Sequence, residues 1–246
     1  MENMMPKCWR KQSKPHLFCS GCGHGITLKQ IGFAIDELGV QDKTTLGIDI
    51  GCSLLAWNFF DFDTIQTHHG RTNPVMVGYK KIKEDRVVLA YMGDGGGYAI
   101  GLQSLLHTAF RNEPITVILV NNGNYAMTGG QMAPTTMPDQ VTATSPEGKI
   151  ADFGPGLHGV ELVANIADKS AYITRCSVSK PLLVKKAIKT AIENQMKNKS
   201  FSFVEVLSIC PTNWKTDAKQ SLAQLAVMEK YYPVGDVVGG KKNEEN

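Results

Sequence analysis

Cys19 and Cys22 form a C-x-x-C pair inside a glycine-rich loop, Cys19-Ser20-Gly21-Cys22-Gly23-His24-Gly25. Cys52 stands in Ile50-Gly51-Cys52-Ser53, and Cys210 in Ile209-Cys210-Pro211-Thr212. Four thiolates of this kind suit a [4Fe–4S] cluster or a structural zinc, and the C-x-x-C spacing does not choose between them. A redox dithiol is a third use, but no strand precedes Cys19 as it would in a thioredoxin-like unit. The other two of the six cysteines read differently. Cys176 is a plain buried thiol in an apolar strand, and Cys8 a free thiol. A second chemistry lies in Gly93-Asp94-Gly95 and in Asn122. Glycines between a strand and a helix let backbone N–H groups approach a phosphate. A carboxylate among them repels a bare diphosphate unless a divalent cation lies between. Mg²⁺ takes oxygen ligands, which the Asp94 carboxylate and the Asn122 amide oxygen supply. Asn121 reads as a strand-end turn residue.

These residues need elements to hold them. Ile26, Ile31, Ile35 and Leu38 recur at helical spacing after the cysteine loop, with Gly39 as a stop. Thr44 to Ile50 is a buried strand. Residues 61–73 are polar and loop-like, and Asn73-Pro74 reads as an N-cap followed by proline at the first helical position. Arg86 to Met92 is a strand running straight into Gly93-Asp94-Gly95, with a helix to Phe110 after it. Ile115 to Val120 is a strand ending at Asn121-Asn122. A long irregular stretch to about Pro155 follows, of the kind that usually carries function. Alternation then resumes: a helix over Val160 to Ala167, a strand over Ala171 to Cys176, a helix over Pro181 to Lys197, a strand over Phe201 to Ile209, and a helix from Asp217 to Tyr231. Apolar strands alternating with helices predict an α/β fold, a parallel sheet covered by helices on both faces. In such sheets ligands sit beyond the carboxyl ends of the strands, where both motif loops fall.

The 246 residues, 42% hydrophobic and 20% charged, suit an ordinary globular chain with a sizeable core. A net charge of +3 is too small to argue for nucleic acid. Much of the local excess lies in Lys7, Arg10, Lys11 and Lys14, which read as a solvated N-terminal arm over residues 1–17. Residues 18–232 read as a single domain and 233–246 as a flexible tail. No apolar run approaches the ~20 residues of a membrane span. No signal-peptide pattern opens the chain. The expected place is the cytoplasm, where cysteines serve as ligands or free thiols rather than disulfides.

Gly-Asp-Gly, one helix and one strand, then Asn-Asn resembles the pattern of thiamine-diphosphate enzymes. Further pieces join it in order: the cysteine loop, Cys52, His69-Gly70-Arg71, Tyr125, Thr128-Gly129-Gly130-Gln131 and Cys210-Pro211-Thr212. As a set, over about residues 18–214, they resemble the β subunit of 2-oxoacid:ferredoxin oxidoreductases. The resemblance implies a diphosphate-type thiamine-diphosphate-binding fold. It implies that Cys19, Cys22, Cys52 and Cys210 carry one [4Fe–4S] cluster. Asp94, Asn122 and the main-chain carbonyl of Asn124 would hold Mg²⁺. Gly93, Gly95, Tyr125 and Thr128 to Gln131 would line the cofactor. His69 would face the cofactor or the substrate carboxylate. Arg71 would pair with a carboxylate, in the site or structurally. His24 would touch the diphosphate or merely pack, and His68 reads as a loop histidine.

The implied activity is coenzyme A-dependent oxidative decarboxylation of a 2-oxoacid, with 2-oxoglutarate or a branched-chain 2-oxoacid favoured and electrons passed through the cluster to ferredoxin. The implied partners are an α (pyrimidine-binding) subunit, which supplies the glutamate for the aminopyrimidine, and γ and δ subunits. Two other readings of the same residues are a zinc-stapled, non-redox thiamine-diphosphate decarboxylase or synthase, and a non-catalytic subunit of the same fold. The sequence leaves open the substrate, the direction, the subunit count and the coenzyme A site.

Overall fold

The structure is a computed structural model that describes residues 5–13 and 16–238. In chain order, helix α1 spans Gly23–Leu38 and strand β1 Thr44–Ile48. Strand β2 (Asp63–Gln66), helix α2 (Thr72–Ile82) and strand β3 (Val87–Gly93) follow. Helix α3 (Leu102–Phe110), strand β4 (Thr116–Asn121) and a small hairpin of β5 (Asn124–Tyr125) and β6 (Gln131–Met132) come next. The chain continues with α4 (Gly159–Ile166), β7 (Tyr172–Ser177), α5 (Pro181–Asn198) and β8 (Ser202–Leu207). It closes with α6 (Pro211–Trp214), α7 (Ala218–Tyr231) and β9 (Gly235–Val238).

The main sheet runs β2-β1-β3-β4-β8-β7-β9, with every pairing parallel except the antiparallel edge strand β9. The α/β expectation of a helix-covered, mostly parallel sheet therefore holds. Its central strands are buried along their whole length. Alternate residues feed two cores, as the period of two requires. Leu89, Tyr91, Ile118, Val120, Val204 and Val206 join α1 and α5 on one side. Val88, Ala90, Met92, Val117, Leu119 and Phe203 join residues of α2, α3 and α4 on the other.

Local signals set the boundaries. Gly39 takes a left-handed conformation (φ 63°) and its N–H caps the carbonyls of Ile35 and Asp36, which ends α1. Asp217 accepts from the Gln220 N–H while the Gln220 side chain answers to Asp217 N, a capping box that starts α7.

Several expectations are corrected. The polar stretch 61–73 contains the edge strand β2, whose side chains are half-exposed and so lack an apolar pattern. Helix α2 begins at Thr72, one residue before Asn73-Pro74, with Arg71 at the cap position. The segment after Gly95 opens as one π-helical turn, Gly96–Ile100, before α3. Residues 235–238, expected in a flexible tail, pair with β7. The rest of that tail, 239–246, and Lys14 lie outside the described residues.

Part of the N-terminal arm is packed against the domain, while Lys7 and Lys11 are exposed. Cys8 and Trp9 are buried. The Trp9 ring lies 3.8 Å from Phe59, and Asp61 N donates to Cys8 O at 2.8 Å. Pro6 lies against Gly32 of α1, where a Cβ would collide with its ring.

Candidate functional site

The parallel strands β1, β3, β4 and β8 deliver four loops to one end of the sheet. Residues 50–53, 93–96, 122 and 124–128, with His24 and His69, line a cavity of about 190 Å³ there. Asp94 is 3% exposed. Its Oδ1 accepts from Gly95 N at 2.9 Å and its Oδ2 from Thr135 Oγ1 at 2.5 Å. Burial nonetheless pushes its carboxyl up to about 7, against the help of those bonds. No cationic side chain is among the groups that set its charge, so the carboxylate is available as a ligand. Asn122 Oδ1 accepts from Asn124 N at 3.2 Å, and the Asn122 carbonyl accepts from Trp214 Nε1 at 3.2 Å. Asn124 Oδ1 is buried without a hydrogen-bond partner. Two oxygen-bearing side chains, the Asp94 carboxylate and the Asn122 amide, are donors of the kind a hard divalent ion takes.

Asn121 points elsewhere: its Nδ2 donates to Glu205 at 2.6 Å and its Oδ1 accepts from Gly123 N, which bears out the turn reading. Gly95 is fixed by the Tyr125 ring, which a Cβ there would overlap. Gly51 and Gly93 also line the cavity, and a Cβ on either would meet no atom of the chain. Their bareness leaves that space to an occupant.

The cysteines gather beside this cavity. Cys22 N donates to Cys19 O at 3.1 Å, which tightens the C-x-x-C turn. Gly23 N donates to Ile209 O at 3.2 Å, docking that turn on the segment before Cys210. Cys52 lines the cavity itself. Cys19 is exposed, Cys22 and Cys52 partly buried, Cys210 buried. Burial raises the Cys22 thiol to about 12, and the charges of Cys210 and Cys19 push the same way. Burial likewise raises Cys52 to about 12, helped by Cys22, Cys210, Cys19 and Asp94. Cys210 is raised by burial first, while hydrogen bonds from Asn213 oppose it. The four sulfurs are thus electrostatic neighbours. Among the described residues, however, no three His, Cys, Asp or Glu groups converge closely enough for one metal ion.

The other expected residues divide. His69 sits on the cavity wall, its Nδ1 2.9 Å from Ile50 O and 3.2 Å from Asp49 Oδ2. His24 is buried on the cavity's inner wall, hydrogen-bonded to the Tyr91 hydroxyl at 2.5 Å and stacked on Phe18. Burial lowers its pKa to about 4, so it is neutral. Thr128 lines the cavity, but Gly129, Gly130 and Gln131 do not. Gln131 is turned back onto Thr128, accepting from its Oγ1 and donating to its carbonyl. Arg71 is exposed, lies off the cavity and donates to Ile100 O at 3.4 Å. It forms no ion pair among the described residues. His68 is an exposed loop histidine.

Sequence reasoning missed Asp49, Thr135, Asn213 and Trp214. Asp49 left a signal, a lone acid closing an apolar strand. The others act through contacts across 41 to 92 residues or lie in a short turn, and no local pattern marks them.

Residues 49–206 match the family model described as thiamine pyrophosphate enzyme, C-terminal TPP binding domain. The chain is 43% identical over 222 residues to the ketoisovalerate oxidoreductase subunit VorA of Methanothermobacter thermautotrophicus, covering 88% of this chain and 46% of that one. It is 36% identical over 208 residues to the 2-oxoglutarate synthase subunit KorB of Methanocaldococcus jannaschii, covering 84% and 73%. The chain thus spans about half the length of the VorA relatives it matches. Among solved structures, 2-oxoglutarate:ferredoxin oxidoreductase from Magnetococcus marinus, with 2-oxoglutarate, coenzyme A and succinyl-CoA bound, superposes with a TM-score of 0.80 at 28% identity. That match covers 98% of this chain and 87% of the other.

Proposed function

Because the chain belongs to the 2-oxoacid:ferredoxin oxidoreductase β subunits and carries their thiamine pyrophosphate-binding domain, we propose that it supplies the diphosphate and cluster half of such an enzyme. The reaction would convert a 2-oxoacid and coenzyme A to acyl-CoA and CO₂ in the cytoplasm, with electrons leaving to ferredoxin. A branched-chain 2-oxoacid is the favoured substrate, since identity to the VorA subunit is 43% against 36% for KorB. When bound, thiamine diphosphate supplies the electron sink for decarboxylation and an iron–sulfur cluster the one-electron exit.

The observation that carries this reading is the buried, cation-poor Asp94 beside Asn122 and Asn124 in a cavity whose wall includes Cys52. Asp94 and Asn122, with the Asn124 carbonyl, would hold Mg²⁺ on the diphosphate. Thr128 and Tyr125 would contact the cofactor, and the roles of Gly129, Gly130 and Gln131 reduce to shaping that loop. Cys19, Cys22, Cys52 and Cys210 would hold a [4Fe–4S] cluster. Four neighbouring thiols beside a site whose electrons leave one at a time suit a [4Fe–4S] cube better than a structural zinc. N–H donation from Asn213 to Cys210 Sγ suits a thiolate ligand.

The cavity is small beside the ~300–1,000 Å³ of complete small-molecule sites, which supports completion by an α, pyrimidine-binding subunit. The γ and δ subunits would take the electrons onward. The test is anaerobic co-purification with the partner subunits, then turnover with ketoisovalerate and 2-oxoglutarate under coenzyme A and ferredoxin. The complex is expected to be brown, to bleach on reduction and to prefer ketoisovalerate. A colourless complex holding one zinc, or turnover by the chain alone, overturns the reading.

A further inference from the structure

His69 hangs on a buried scaffold that the sequence motifs do not include. Asp49 is fully buried and closes β1. Its Oδ1 accepts from Gly70 N at 2.6 Å and from Thr72 Oγ1 at 3.1 Å, and its Oδ2 faces His69 Nδ1 at 3.2 Å. Thr67 Oγ1 lies 2.8 Å from Thr72 Oγ1 and backs the arrangement. The Gly96 backbone approaches so closely that a Cβ there would strike Asp49 Oδ2. The carboxylate is therefore held from three sides.

The two partners of Nδ1 fix the proton's position together, and the charged Asp49 Oδ2 is the stronger acceptor. Ile50 O, at 2.9 Å, is an amide carbonyl and can only accept. Nδ1 must then carry the hydrogen. In a neutral imidazole the other nitrogen, Nε2, is a lone-pair acceptor. Nε2 has no partner among the described residues, and the side chain is 35% exposed on the cavity wall, 6.3 Å from the Tyr125 ring. A neutral Nε2 in this state has no hydrogen to offer a substrate carboxylate.

We propose that Asp49 is a positioning residue that locks His69 in the Nδ1–H tautomer, so that His69 Nε2 serves as the cavity's proton acceptor for the incoming thiol. The choice of thiol rests on the function proposed above. In that reaction a 2-oxoacid anion, a thiol and two oxidised ferredoxins give a thioester, CO₂, two reduced ferredoxins and one proton. The thiol's S–H is the bond whose proton must leave. The C–C bond to the carboxylate breaks as CO₂ leaves and its two electrons pass to the ferredoxins, while the S–H bond breaks, its electron pair stays on sulfur to form the thioester bond, and the proton binds Nε2. The Asp49 carboxylate stabilises the imidazolium through Nδ1–H, and the proton then passes to water.

Two measurements test this. Nitrogen-15 histidine NMR on the full chain reads the tautomer directly. The expected result is Nδ1–H with an unprotonated Nε2 for His69, shifting toward Nε2–H in Asp49→Asn, whose amide would donate toward Nδ1. An Nε2–H signal in the unmodified chain, or an unchanged pattern in Asp49→Asn, overturns the lock. In the assembled complex, His69→Gln is expected to slow thiol-dependent acyl transfer by roughly a hundredfold. That loss should exceed any loss in thiol-free CO₂ release by at least about tenfold. Equal losses in both steps overturn the thiol assignment. If Asp49→Asn does not fold, the tautomer of the unmodified chain and His69→Gln decide alone. A complex inactive on every 2-oxoacid but with the expected tautomer and Asp49→Asn shift sinks the function and leaves the lock standing.

Discussion

At the scale of single residues, Asp94 is costly to the empty chain. Its carboxylate is buried with three hydrogen bonds and no cationic side chain among its partners, and burial outweighs the bonds. Replacing it with asparagine keeps the shape and removes the charge. Asp94→Asn is therefore expected to raise the stability of the cofactor-free chain by about 1 kcal/mol or more, read as a higher urea midpoint at unchanged slope. The same variant should lose Mg²⁺-dependent thiamine diphosphate binding in calorimetry, and Asp94→Ala should do the same. Lower stability combined with intact binding would show that the carboxylate is a structural acceptor instead. This is the trade expected where a site is kept poised for its ligand. Asp94 and Asn122 were visible in the sequence because glycine spacing and strand ends mark them. Thr135, which donates to Asp94 from 41 residues away, was not, because only the folded loop brings it there.

At the scale of elements, the least visible feature is the polar pair inside the sheet. Arg175 of β7 faces Glu205 of β8 in register, both buried. Arg175 Nε donates to Glu205 at 3.2 Å, and its two terminal nitrogens reach Glu161 of α4 at 2.7 Å. Tyr98 and Asn121 complete the shell of Glu205. Strand propensity located both strands, but pairing across 30 residues is a property of register alone. Arg175→Met leaves Glu205 as an unpaired buried charge, and a loss of about 3–5 kcal/mol in urea unfolding is expected. A loss below about 1 kcal/mol would mean that Tyr98 and Asn121 suffice for it.

The N-terminal segment teaches the same lesson in reverse. Its lysines and arginine suggested a solvated arm, yet Trp9 is covered by Phe59, and residues 8 and 10 bond the loop after β1. Trp9→Ala is expected to cost about 3 kcal/mol, seen as a lower thermal midpoint. A change under about 1 kcal/mol would return the segment to the surface.

At the scale of the whole molecule, the question is what closes the cavity. The sheet supplies a floor and one wall, and no helix of the described residues is long and apolar enough to cross a membrane. Around the cavity mouth, Ile50 is 40% exposed and Met127 47%, while Ile100, at 51%, stands beside the Gly70 loop. Apolar side chains placed at the rim of a site are where a second subunit would be anchored, and such anchors carry most of an interface's energy. Met127→Asp places a charge on that rim without touching the core, so the isolated chain should keep its thermal midpoint within about 1 °C. Its affinity for the proposed pyrimidine-binding subunit should fall by about 2 kcal/mol, roughly thirtyfold, in an interface titration. Unchanged assembly would put the partner on another face. In that case the small cavity would have to be completed by a rearrangement of the chain's own 122–128 loop.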